Sequence, residues 1–136
     1  MLGLGGNNTL NITDQLARTN FDGISGILSV APYYNKPNQR GIAAHFRSVA
    51  EASPVPVVIY NVPGRTGVNI SAETTLTLAN ECPNIIGIKE ASGNMQQIMD
   101  ILRLRPSDFR VISGDDSLTL PMLSLGADGV ISVMAN

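Results

Sequence analysis

Five short runs of β-branched and aliphatic residues recur along the chain: Gly26-Ile27-Leu28-Ser29-Val30, Val57-Val58-Ile59-Tyr60, Ile85-Ile86-Gly87-Ile88, Arg110-Val111-Ile112-Ser113 and Gly129-Val130-Ile131-Ser132-Val133. None alternates strictly between apolar and polar, so each reads as a strand covered on both faces, the habit of a parallel sheet. Segments of helical period separate them. From Asn38 to Ala52, Ile42, Phe46, Val49 and Ala50 form one apolar stripe. Ser71 to Ala79 opens on a serine with Glu73 and Thr74 behind it and has Leu76, Leu78 and Ala79 as its apolar side. Asn94 to Leu104 carries Met95, Ile98, Met99, Ile101 and Leu102, and Thr9 to Asn20 carries Ile12, Leu16 and Ala17. Ser117 to Leu125 shows Leu118, Leu120, Met122 and Leu123, with Pro121 expected to bend or shorten it.

Strand and helix therefore alternate in units of about 20–30 residues, as in βα repeats joined by right-handed crossovers. The class is α/β. An open doubly wound sheet and a closed (β/α)8 TIM barrel both satisfy the pattern. Polar residues enter at the strand C-terminal ends, at Tyr33-Tyr34-Asn35, Tyr60-Asn61, Lys89-Glu90 and Gly114-Asp115-Asp116. A barrel would gather those ends around one pocket. A full barrel takes about 200–250 residues, whereas this chain offers five strands and the tail of a sixth at Leu2-Gly3-Leu4. Residues 1–136 are expected to form a single incomplete barrel domain, truncated at both ends.

Charge narrows the partners. Nine Lys and Arg stand against 11 Asp and Glu, with no basic block to follow a phosphate backbone or an anionic membrane, so nucleic acid is not an expected partner. No apolar stretch approaches the roughly 20 residues of a membrane-spanning helix. The start, Met1-Leu2-Gly3-Leu4-Gly5-Gly6-Asn7, has neither the charge nor the apolar region of a secretory signal. The single cysteine, Cys82, fits a reducing compartment, with the cytoplasm as the expectation.

Lys89 ends a strand otherwise made of Ile, Ile, Gly and Ile. Apolar surroundings favour its neutral amine, and a neutral amine attacks carbonyls to form a Schiff base. The plainer alternatives are an ion pair with Glu90 or a snorkelling stem. Tyr60 closes another apolar run, where a phenol can pass protons if partners hold its hydroxyl, or simply bury its ring. In the following Asn61-Val62-Pro63-Gly64-Arg65-Thr66-Gly67, Pro and Gly set a tight path around Arg65. The guanidinium fork there matches a carboxylate or stays solvated. Tyr33 and Tyr34 are adjacent in an extended segment, so one can enter a pocket while the other meets a neighbour. Asp115-Asp116 reads as a helix cap and first-turn charge rather than a metal pair. His45 reads as a surface residue, and Cys82 as a loop or helix-end thiol. Gly3-Leu4-Gly5-Gly6-Asn7-Asn8 lacks the third glycine of a dinucleotide fingerprint. No nucleophile–histidine pairing has support.

Taken together, Pro32-Tyr33-Tyr34-Asn35-Lys36-Pro37, Tyr60-Asn61-Val62-Pro63-Gly64-Arg65-Thr66-Gly67, Gly87-Ile88-Lys89-Glu90-Ala91-Ser92-Gly93 and Ser113-Gly114-Asp115-Asp116 resemble the dihydrodipicolinate synthase family, in order, from Gly3 to Asn136. The resemblance implies a (β/α)8 barrel, here from the end of the third strand through the eighth. It also implies a lyase that condenses pyruvate with aspartate semialdehyde to 4-hydroxy-tetrahydrodipicolinate, on the diaminopimelate route to lysine, without a cofactor or metal. Lys89 matches the imine-forming lysine, Tyr60 the proton-relaying tyrosine, and Tyr34 the tyrosine that reaches into a partner's site across a tight dimer interface. Arg65 matches the carboxylate-binding arginine. Gly114 and Ile131 match positions lining the pyruvate pocket, and Asn7 and Tyr33 match positions of the allosteric cleft. A dimer of dimers is the assembly implied.

Related N-acetylneuraminate lyases share the lysine and the Tyr-Asn turn but, as a family, lack Arg-Thr-Gly after it. A sugar-acid aldolase and a non-catalytic barrel remnant are the remaining alternatives. The family's second-strand Thr-Thr segment has no counterpart, so the isolated chain is expected to be nearly inactive, with open sheet edges. Asn11 stands where lysine-inhibited members often carry an acid, which leaves feedback by lysine open.

Overall fold

The computed structural model describes residues 1–134; Ala135 and Asn136, where the resembling stretch ends, lie outside the described residues. Among the described residues one sheet runs in the order β1 (Leu2–Gly3), β2 (Ile27–Val30), β3 (Val57–Asn61), β4 (Ile85–Glu90), β5 (Arg110–Ser113) and β6 (Gly129–Val130). Every neighbouring pair is parallel. Between the strands lie α1 (Thr9–Arg18), α2 (Gln39–Ala52), α3 (Pro63–Thr66), α4 (Ala72–Glu81), α5 (Met95–Leu104), a 3-10 turn (Asp116–Leu118) and α6 (Thr119–Ser124). Strand order follows chain order without reversal, so the switch point of a doubly wound sheet is absent and the sheet is a half-barrel.

The helix starts follow from local chemistry. Asn8, Asn38, Ser71 and Asn94 each accept a hydrogen bond from the amide three residues on, at Asn11, Gly41, Thr74 and Gln97. Each side chain thus satisfies one of the free N–H groups of a first turn.

Alternation along the strands divides the sheet into two faces. Ile27, Ser29, Ile59, Asn61, Ile88, Glu90, Val111 and Ser113 are fully buried, and they carry the face on which the helices pack. Ile42, Phe46, Val49, Leu78, Ile98 and Ile101 supply the helix side of that core. The opposite, concave face holds Leu28, Val30, Tyr60 and Ile112, half-buried, with Val58 and Lys89 buried among them. The expectation of strands covered on both faces is therefore corrected for the inner face, where only side chains of neighbouring strands provide cover among the described residues.

Four local expectations are also corrected. The first helix ends at Arg18 rather than Asn20, because Thr19 turns extended and its N–H and hydroxyl take the carbonyls of Leu16 and Gln15. The segment Ser117 to Leu125 divides into the 3-10 turn and α6, which places Pro121 in a first turn, where a missing N–H costs nothing. The last strand stops at Val130, and beyond it the Asp116 carboxylate accepts from the amides of Val133 and Met134. His45 is buried, at 4% exposure, with Nδ1 2.8 Å from Thr9 Oγ1 of α1. It belongs to the stripe of Ile42, Phe46 and Val49 at helical spacing, and α1 packs over it.

Burial lowers the His45 pKa from 6.5 to about 4. The unfolded chain therefore takes up this proton before the folded one does. Stability from this residue is complete above pH 6.5 and is lost as pH falls toward 4, by up to about 3 kcal/mol. Denaturant midpoints measured from pH 7.5 to 4.5 should fall more steeply for the parent chain than for His45→Gln, which keeps a polar group and cannot titrate. Parallel curves would contradict this.

Candidate active site

The β3–β4 pairing places two of the candidate site residues, Tyr60 and Lys89, side by side. Val57 opposes Ile85, but Val58 opposes Gly87, so Ile86 is an extra residue in β4. That one-residue shift sets Lys89, instead of Ile88, opposite Tyr60. Both side chains then rise from the inner face, and Lys89 Nζ lies 4.4 Å from the centroid of the Tyr60 ring. A cation over an aromatic face is favourable.

Lys89 is 6% exposed. Burial holds its ammonium below the usual value of 10.5, opposed by the charge of Asp116. Glu90 is no partner to it, because consecutive strand residues point to opposite faces and its carboxylate sits among the helices, fully buried. The Lys89–Glu90 ion pair is thus excluded. Burial raises the Tyr60 phenol, and the charge of Arg65 counters this. Among the described residues the Tyr60 hydroxyl has no hydrogen-bond partner in the protein.

Arg65 stands exposed on α3, which Pro63 opens and Gly67 closes at φ 73. The Lys36 stem lies against that glycine, 3.2 Å from where a Cβ would be. Gly114 is buried below Lys89, and its N–H donates to the Glu90 carbonyl at 2.8 Å. A Cβ at Gly114 would come 2.7 Å from Lys89 Cε and 3.0 Å from the Ala91 Cβ. Ile131, half-buried beyond β6, donates its N–H to the Ser113 carbonyl at 2.9 Å. Asp115 caps the 3-10 turn as expected, through the amide and hydroxyl of Ser117. The Ser132 hydroxyl and the amides of Met134 and Val133 hold the Asp116 carboxyl below the usual range.

Tyr34 does not join this group. It is 87% exposed with φ 69, on the loop after β2, and Tyr33 is 43% exposed beside it. Asn35 Nδ2 donates to the Asn7 carbonyl at 3.0 Å, which brings the loop after β1 against the tyrosine loop. Sequence reasoning missed the buried polar cluster of Asn61, Asn69, Glu90 and Gln97 behind the sheet. Its signal was present in the strand pattern: a charge next to an inward-facing Lys89 must point at the helices and find donors there.

The close fit at Gly114 is testable. Gly114→Ala should cost about 1–3 kcal/mol in denaturant unfolding, because the Cβ overpacks against Lys89 and Ala91. Gly64→Ala, with nothing within 4 Å of its added Cβ, should cost nothing. Equal effects at the two positions would contradict the packing described.

Comparison with known proteins places this geometry. The sequence pattern of the Dihydrodipicolinate synthetase family matches residues 1–136. The 4-hydroxy-tetrahydrodipicolinate synthase of Parabacteroides distasonis is 56% identical over all of this chain, which covers 46% of that protein. A crystal structure of the Cyanidioschyzon merolae enzyme with lysine bound superposes with a TM-score of 0.93 at 51% identity, over 98% of this chain and 45% of the other. A chloride-inhibited dihydrodipicolinate synthase from Acinetobacter baumannii, solved with pyruvate, gives a TM-score of 0.91 at 42% identity, over 98% and 45%. The chain spans about half the length of the relatives it matches. With a half-barrel that follows theirs and a pattern match along its full length, the chain belongs to the dihydrodipicolinate synthetase family.

Proposed function

We propose that this chain carries the Schiff-base site of a 4-hydroxy-tetrahydrodipicolinate synthase. The observation that supports it most is the Lys89 amine, desolvated on the inner face and 4.4 Å from the Tyr60 ring. The six strands take the place of the third strand's end through the eighth of the barrel, as one incomplete domain.

In this reading the neutral Lys89 amine attacks the keto carbon of pyruvate, and the carbinolamine loses water to give an imine. Loss of a methyl proton gives an enamine, whose carbon attacks the aldehyde of aspartate semialdehyde. The amino group of the new adduct then attacks the imine carbon, closes the ring and releases Lys89. Tyr60 moves protons to and from the carbinolamine and the new hydroxyl. Arg65 at the mouth holds the carboxylate of the semialdehyde through its planar fork. Gly114 leaves room for the lysine stem and offers main chain to pyruvate, and Ile131 closes the pocket's far side.

Tyr34, turned outward, supplies its phenol to the site of a second copy, and a dimer of such dimers is the proposed assembly. Asn7 and Tyr33, near each other through Asn35, are the proposed effector positions. No helix among the described residues is long and apolar enough to cross a membrane, and the lone Cys82 fits a reducing cytoplasm.

The chain has two lysines, Lys36 and Lys89, so covalent trapping gives a clear answer. Borohydride with pyruvate should add one reduced pyruvate at Lys89, and the pH of half-maximal trapping should lie below 10.5, since a depressed ammonium releases its proton earlier. An unmodified Lys89 in a full-length protein, with these residues in place of the matching segment of the Parabacteroides distasonis relative, would end this reading. For the aldehyde, these residues can replace the matching segment of the Parabacteroides distasonis relative. In that chimera Arg65→Ala should raise KM for aspartate semialdehyde by about 10- to 100-fold, the worth of a charge-assisted pair, and leave pyruvate trapping unchanged. Faster turnover of N-acetylneuraminate or 2-keto-3-deoxygluconate than of aspartate semialdehyde would favour the sugar-acid alternative.

A further inference from the structure

Behind the sheet, on the face away from the site, Glu90 is fully buried. Four hydrogen bonds reach its carboxylate. Asn61 Nδ2 donates to Oε1 at 3.2 Å and to Oε2 at 3.1 Å, the Ser92 amide donates to Oε1 at 2.7 Å, and Gln97 Nε2 donates to Oε2 at 3.0 Å. No cation pairs with it among the described residues. A buried carboxylate without a cation is costly, and a position surrounded by donors only admits a group that accepts on both sides.

The donors come from three places. Asn61 directly follows Tyr60 on β3, Ser92 lies in the loop after β4, and Gln97 is in the first turns of α5. The cluster extends further: Asn61 Oδ1 accepts from the Ile70 amide at 2.9 Å, and Gln97 Oε1 accepts from Asn69 Nδ2 at 2.8 Å. The main chain repeats the tie, with the Ala91 N–H on the Asn61 carbonyl and the Gly114 N–H on the Glu90 carbonyl, both 2.8 Å. Glu90 thus fixes the rotation of β4 about its own axis one residue after Lys89, and Asn61 fixes β3 one residue after Tyr60. The two anchors are bonded to each other.

We propose that Glu90 and Asn61 form a positioning pair that, from the helix side of the sheet, sets how Lys89 meets Tyr60 on the inner side. The proposal rests on the Schiff-base reading for its catalytic meaning, while the geometric effect stands apart from it. Neither residue touches substrate. Glu90→Gln introduces an amide N–H₂ among donors, so one contact turns repulsive and β4 rotates. Asn61→Asp alone sets two carboxylates against each other. The double variant Asn61→Asp with Glu90→Gln exchanges donor and acceptor and restores the bond.

The test uses the full chain with ε-carbon-labelled lysine, where the ring current of Tyr60 shifts the Lys89 ε-methylene signal and Lys36→Arg assigns it. Glu90→Gln should move that signal toward its unshifted position and slow pyruvate trapping at least tenfold with a shifted pH midpoint, at an unchanged helical signal. The double variant should recover both readouts to within about threefold of the parent. If Glu90→Gln fails to fold, Gln97→Met, which removes one donor, should move both readouts in the same direction by a smaller amount. The proposal is overturned if the folded single variants keep the parental signal and trapping rate, or if the double variant shows the combined losses of the singles. Where the parent traps no pyruvate, the methylene signal alone decides the positioning, separately from the Schiff-base reading.

Discussion

The site depends on the register between β3 and β4. One extra residue, Ile86, shifts the pairing after Val57 so that Tyr60 faces Lys89. In a parallel sheet, a slip of one residue sends a side chain to the other face. Without the shift, Ile88 would lie beside the tyrosine and Lys89 would point at the helices, where Glu90 now sits. The bulge therefore decides at once which residue is desolvated beside the phenol and which carboxylate is kept away from it. An amine adjacent to Glu90 on the same face would be held as an ammonium, and its nucleophilicity would be lost.

The rest of the site follows from that division. On the inner face, Gly114 is small where the Lys89 stem needs room, and its N–H joins β5 to β4 at the level of Glu90. On the outer face, the polar cluster ties the ends of β3 and β4 to α5 and to the segment before α4. Charge and burial oppose each other at the amine: burial lowers its pKa and Asp116 raises it, while the Asp116 carboxylate also accepts from the Ser132 hydroxyl and the amides of Val133 and Met134. Arg65, on α3, and Tyr34, on the loop after β2, stand exposed outside this framework.

Much of this was legible in the sequence, for physical reasons. Uniformly apolar runs with polar ends identified the parallel strands, and helical period, helped by a capping serine at Ser71, marked four helix starts within one position. Lys89 and Tyr60 stood out because each ends an apolar run. What escaped depends on partners remote in sequence. His45 shares the stripe of Ile42 and Phe46, yet its burial requires α1 to pack over it. Beyond the shortened β6, Asp116 reaches forward to Val133, and the bulge at Ile86 has no local signature in Ile-Ile-Gly-Ile. Glu90 was read as a neighbour of Lys89 in the chain, where strand geometry makes it a neighbour of Asn61 and Gln97 instead.

If a desolvated amine beside a phenol is what this part of the barrel provides, its protonation is the quantity to observe directly. Titrating the ε-methylene signal of Lys89 by NMR, assigned against Lys36→Arg, reads that protonation at a single atom and needs neither substrate nor turnover. A midpoint clearly below 10.5, rising when Gly114→Ala pushes the stem toward solvent, is the expected result. A midpoint at or above 10.5 would mean that the ammonium is stabilised where it sits, and that Lys89 is not poised to attack a keto acid.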